Sequence, residues 1–137
     1  SDKLEILKLP RVMTSNKSNV MILMRFGRIY ALRNRDDQDL NEDDLTIVKR
    51  SGNEFTAAPR VGKGWRLPSD QATLVAFMGQ YSPRMRVFTV VVWPDSFAEF
   101  AGLKSILLDA GFQYDLQPIT DVPACMFAKS SVAPQVQ

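Results

Sequence analysis

The chain contains no histidine and a single cysteine, and these two shortages exclude more chemistry than any motif in it supplies. Without histidine there is no imidazole general base, no Ser-His or Cys-His nucleophile system, and no ligand of the kind most zinc sites use. Cys125 alone forms no internal disulfide, and no basic neighbour in sequence favours its thiolate. No apolar run approaches the roughly 20 residues needed to span a bilayer, and no signal-peptide pattern is visible. Charge of either sign is scarce in the balance: 17 Lys and Arg against 15 Asp and Glu leave a net charge of +2. That is too small to argue for nucleic acid by itself.

What is present is an ordinary globular composition. At 137 residues, 45% hydrophobic and 23% charged, the chain suits one domain with a core that needs no metal or disulfide staple. That domain is expected over residues 1–127, with the Ser-, Ala-, Pro- and Gln-containing end, 128–137, as a disordered tail. The chain opens Ser1-Asp2-Lys3 rather than on Met, which favours a piece cut from a longer product. A missing targeting or membrane segment therefore says little about the native protein.

Residues 4–9 alternate loosely and suggest a short edge strand closed by Pro10, followed by a polar loop over 14–19. Val20 to Phe26 and Ile29 to Arg33 flank Gly27-Arg28 with β-forming apolar residues, the pattern of a hairpin with Gly27 at positive φ. A second hairpin is expected from 45–49 and 54–57 around Ser51-Gly52-Asn53. Pro68-Ser69-Asp70 predicts a capped helix over 71–81, with Leu74, Phe77, Met78 and Tyr81 on one face. The valine-rich stretch 87–93 is apolar on both faces, the mark of a central strand. Ser96-Phe-Ala-Glu99 fits a capping box. The helix it opens carries its apolar stripe on Phe97, Phe100, Leu103 or Lys104, Leu107 and Leu108. Gly111 ends that helix, Phe112 packs back on it, and 113–119 form the next strand.

Three places carry candidate chemistry. The acidic residues of 36–44 superficially suggest a calcium loop, but Glu42 stands where an EF-hand needs glycine and Val48 where it needs a bidentate acid. A solvated loop is the expectation, and no metal site is assigned. Asp95, Ser96 and Glu99 lie where open α/β sheets place ligands, just past the carboxyl end of a strand. Helix capping is the preferred account of them, and Pro94-Asp95 does not extend to a PD-(D/E)xK motif because Glu99 and Lys104 fall on the helix. The basic residues are the third. Arg25, Arg28, Arg33 and Arg35 line the first hairpin, and Arg60, Lys63 and Arg66 surround Trp65 in a Gly-containing loop; all of these but Arg35 make up the candidate interaction surface. Arginines and aromatics on a sheet suit single-stranded nucleic acid. Arg25-Phe26-Gly27-Arg28 echoes an RNP1 segment, although the rest of that motif is missing and the strand order differs from βαββαβ. Trp93, ending an apolar strand, is expected in the core.

The order of elements resembles the periplasmic domain of the ExbD/TolR family, in Phe26-Gly-Arg-Ile-Tyr30, Leu74 to Pro83, Val87 to Trp93, and Phe97 to Phe112. Trp93-Pro-Asp-Ser-Phe97 is similar to bacterial proteins of unknown function that carry such a unit. The resemblance covers about residues 20–120 and implies a glycine-turned hairpin, a helix, a central strand, a second helix and a last strand. The family's membrane helix with its acidic residue has no counterpart in these residues, so no proton-coupling role carries over.

The expectation is thus a single α+β domain: a mixed β-sheet with two helices packed on one face, a hairpin-rich N-terminal half and a β-α-β C-terminal half. Its expected function is a non-catalytic protein-interaction domain, homodimeric through a sheet edge or bound to a protein partner. The resemblance implies the soluble, envelope-facing or periplasmic part of a protein whose membrane segment lies outside this chain. The alternative is a nucleic-acid-binding module using the arginine hairpin and Trp65. No cofactor and no catalytic residue is assigned; an enzyme would need Asp95 and Glu99 to converge with distant acids.

Overall fold

The two most apolar stretches of the chain, 18–25 and 86–92, lie side by side at its centre. They belong to a computed structural model that describes residues 17–35 and 38–128, with the backbone of Glu5 and Ile6. In chain order the elements are β1 (Glu5–Ile6), β2 (Ser18–Arg25), β3 (Arg28–Ala31), β4 (Leu45–Lys49) and β5 (Glu54–Pro59). They continue with α1 (Gln71–Met78), β6 (Arg86–Val92), a 3₁₀ turn (Pro94–Ser96), α2 (Phe97–Asp109), β7 (Gln113–Pro118) and β8 (Cys125–Ala128).

β2 and β6 pair in parallel from Ser18↔Arg86 to Met24↔Val92. With β3 antiparallel to β2 and β7 parallel to β6 they make a mixed sheet of order β3-β2-β6-β7. Strand side chains alternate between faces, so each central strand must be apolar throughout if both faces are covered. They are. Val20, Ile22 and Met24 of β2 and Phe88, Val90 and Val92 of β6 meet Leu74 and Met78 of α1 and Phe100, Leu103 and Leu107 of α2. Met21, Leu23, Val91 and Trp93 point the other way, onto Leu45, Phe55, Ala57, Cys125 and Phe127. Those residues belong to a second sheet of order β1-β8-β5-β4. The fold is α+β, and it has three layers: helices, mixed sheet, second sheet. Each large apolar side chain in the middle layer contributes about 1.5–3 kcal/mol by leaving water.

The second hairpin forms as expected, with Leu45↔Pro59 to Lys49↔Phe55 in register. The two helices differ from expectation at their ends. α1 stops at Met78, and neither Asp70 nor Ser69 caps it with a side chain. Asp70 Oδ2 instead accepts the Arg66 N–H at 2.8 Å, and Ser69 Oγ donates to the Arg66 carbonyl. In α2 the buried stripe is narrower than predicted: Phe97 and Leu108 are about half exposed, leaving Phe100, Leu103 and Leu107 as the seam. Its C-terminus closes as predicted, the Phe112 N–H donating to the Leu107 carbonyl and the Gly111 N–H to that of Leu108. Phe112 then stacks edge-on against Phe88 at 4.9 Å, the last step of an aromatic run Trp65–Phe77–Tyr81–Phe88–Phe112. The expected polar loop yields Ser18 and Asn19 to β2, its first residues lie outside the described ones, and so do residues 129–137 of the expected tail.

Candidate functional site

At the carboxyl end of β6 the structure puts a contact that local pattern does not announce. The β2–β3 turn is Phe26-Gly27, with φ of 58° and 71°. Positive φ at both central residues is what a tight two-residue hairpin needs, because that twist matches the flanking strands. The Phe26 N–H donates to both carboxylate oxygens of Asp95, each at 3.1 Å. The Gly27 N–H donates to Ser96 Oγ at 2.9 Å, and that hydroxyl donates in turn to Asp95 Oδ1 at 2.7 Å. Ser96 makes no cap bond to α2, so the expected capping box is not formed; its hydroxyl and the neighbouring carboxylate cap the hairpin instead. Arg25 completes the lock: its guanidinium lies over the rings of Phe26 (4.8 Å) and Trp93 (5.0 Å), and Nη1 donates to the Pro123 carbonyl. Trp93 is buried, its indole N–H bonded to the Val122 carbonyl at 2.7 Å. The acid and hydroxyl that stood as candidate chemistry are thus spent on holding a turn.

The basic residues of the candidate interaction surface separate. Arg25 and Arg28 face each other across the hairpin at its tip. Alternation along β3 puts Tyr30 and Leu32 toward the second sheet and Ala31 toward the helices; Arg33 follows Ala31 and lines a cleft beside α1. Arg60, Lys63 and Arg66 are exposed in the loop after β5. Trp65 is held by its backbone, donating to the Ile29 carbonyl (2.7 Å) and accepting the Ile29 N–H (2.9 Å), and so closes the outer edge of β3. Gly64 makes this possible: a Cβ there would sit 2.7 Å from the Ile29 carbonyl oxygen, at a φ of +81°. The Trp65 ring rests on Phe77, centroids 5.1 Å apart. The structure therefore brings Arg33 and Trp65 together and leaves Arg25 committed elsewhere.

The cleft they share has a volume of about 360 Å³. Trp65, Phe77 and Ala76 supply apolar lining, and Arg33, Arg35, Asp43, Asp44 and Thr73 supply polar and charged lining. Asn41 Nδ2 ties the Asp44 carboxylate (3.1 Å) to the Ala31 carbonyl (3.0 Å), which fixes the acid in place. The hydroxyl of Tyr30, on the other face of β3, donates to the Arg60 carbonyl at 2.8 Å. Burial pushes its pKa from 10.0 up to about 12. Sequence reasoning missed this cleft because its walls come from four separated segments; the only local signal was the Gly-flanked Trp65. Among the described residues no group of acids and cysteine is placed to hold a metal ion, and no helix is long and apolar enough to cross a membrane.

Among the described residues one edge of the mixed sheet stays open. β7 pairs only with β6, and its Leu116 is 38% exposed. Comparison with protein-family models, with curated proteins and with solved structures returned no match for the chain.

Proposed function

We propose that this chain is a non-catalytic interaction domain that pairs with a second copy of itself through the outer edge of β7. The observation that carries the reading is that edge: a six-residue strand of a sheet otherwise closed, presenting unpaired backbone groups beside exposed Leu116. Among the described residues the opposite edge of the same sheet is closed at Ile29 by Trp65, which leaves the β7 side of this sheet for pairing. Pairing of β7 with the same strand of a second copy covers this edge in both chains at once, a closed two-fold contact. The commitment of Asp95 and Ser96 to the hairpin turn supports a binding role over catalysis at the strand end.

Sedimentation equilibrium across a wide concentration range tests the pairing. The expected species has twice the 15.4 kDa of one chain, and Leu116→Lys returns it to monomer. A wild-type chain that stays monomeric throughout rules the pairing out. The envelope-facing placement implied by the ExbD/TolR resemblance is a separate proposal. It predicts membrane retention of the native gene product, with cleavage of this domain only once the outer barrier is opened. Nucleic acid is the competing occupant for exposed Arg60, Lys63 and Arg66; oligonucleotide affinity that falls steeply with salt would favour it.

A further inference from the structure

We propose that the cleft between the end of β3 and α1 binds an aromatic α-amino acid in its zwitterionic form, independently of any pairing at β7. Size comes first. About 360 Å³ is at the lower end of small-ligand sites, enough for one amino acid and too little for an oligomer. One side is an aromatic platform. Trp65 is partly buried, its ring tilted against Phe77, and pinned at both its backbone N–H and its carbonyl, so little ordering is left to do on binding. A second ring stacking there gains contact area and offset aromatic geometry.

Charge narrows the class. Arg33 and Arg35 share the cleft with Asp43 and Asp44, and among the described residues neither arginine forms an ion pair with either aspartate. Arg33 spends one Nη1 hydrogen on the Gln38 carbonyl at 2.9 Å, and its other Nη hydrogens are the ones left for a ligand, the Nε being buried. Asp44 is held by Asn41 and Asp43 is exposed. A ligand with only an anionic group would meet the two aspartates, and a purely cationic one the two arginines. A ligand with both charged groups on one carbon can satisfy both kinds of lining charge: its carboxylate on the guanidinium fork, its ammonium on the aspartates. The ring on the same molecule then covers Trp65. Thr73, exposed on α1, lines the same cleft and offers a hydroxyl to either charged group.

The test uses the full chain and L-phenylalanine as probe. Of the two tryptophans Trp65 lines the cleft and Trp93 is buried away from it, so a ligand-dependent change in fluorescence reports on Trp65. A saturable change with a dissociation constant on the order of 1 mM or tighter is expected. Phenylalaninamide, which lacks the carboxylate, and N-acetylphenylalanine, which lacks the ammonium, should each bind about tenfold or more weakly. L-Alanine, lacking the ring, should give no response. Arg33→Gln and Asp43→Asn should each weaken phenylalanine about tenfold. Thr73→Lys alters only an exposed helix position and should block the cleft while the far-UV circular dichroism is unchanged. No saturable response in the wild-type chain, binding of the amide or the N-acetyl form as tight as that of phenylalanine, or binding indifferent to Thr73→Lys would each overturn the proposal.

Discussion

Phe26 holds a backbone conformation that a bulky side chain rarely adopts, at φ 58°, and the cost is of order 1 kcal/mol or more. The Asp95 carboxylate and the Arg25 guanidinium keep it there. Replacing Phe26 with Asn gives the Asn-Gly pair that such turns prefer, at little loss of burial since the ring is 38% exposed. Phe26→Asn is therefore expected to stabilise the fold by about 1 kcal/mol, read as a raised urea midpoint; a lowered midpoint would mean that stacking with Arg25 outweighs the strain. Asp95→Ala leaves the Phe26 N–H without its acceptor and should cost about 2 kcal/mol. Tyr30 sets a pH limit. Its hydroxyl is more easily kept protonated in the folded chain than in the unfolded one, so its contribution is complete below pH 10.0 and is lost as pH rises toward about 12. A urea midpoint flat to pH 10 and falling above it is expected, with Tyr30→Phe removing part of the fall. The glycine of the turn was legible in the sequence, but Phe26 was not. Its partner lies 69 residues away, and Ser96-x-x-Glu99 spoke for a capping box because a serine hydroxyl carries no mark of which donor it will meet.

At the scale of elements, edges decide what each strand is for. β3 ends the mixed sheet on one side, yet its edge is closed by a single residue pair, Ile29 with Trp65, that depends on the missing side chain of Gly64. Gly64→Ala introduces a clash with a backbone oxygen at a positive φ, and should destabilise by about 2 kcal/mol or more. Amide exchange at Ile29 and Trp65 should accelerate beyond the global change; uniform acceleration across the chain would show that the bridge is not a separate unit. α2 shows why helix stripes are read too wide from sequence. Phe97 and Leu108 fit the period, but burial is set by where the sheet lies beneath, and only Phe100, Leu103 and Leu107 reach it. The Gly111 stop was legible because it is local: the cap is made by residues within five positions.

Over the whole molecule, the middle layer is the one element covered on both sides. Its central strands should set the global stability. Amides of Ile22 and Val90, both fully buried, are expected to exchange only by complete unfolding, while those of β4, an edge with exposed Val48, open at lower cost. Equal protection in the two sheets would contradict this. The valine run of β6 announced a strand hidden on both faces, and that held. What hid the second face was the split into two sheets. The apolar run of β2 marks cover on both faces without saying by what, and β8, a four-residue strand after a proline-containing loop, gives too short a pattern to be seen. Nothing in a hairpin's own sequence says which sheet it will join.

The parallel pairing of β2 with β6 also imposes a timetable. Every partner of β2 in that ladder, from Arg86 to Val92, is made roughly 60 residues after β2 itself, a wait of several seconds at ~5–20 residues per second. Until then an apolar hairpin stands on the growing chain with its longest edge uncovered. The strand that ends deepest in the protein is the one most in need of protection at birth, and a chain halted before Arg86 should be held by chaperones or aggregate.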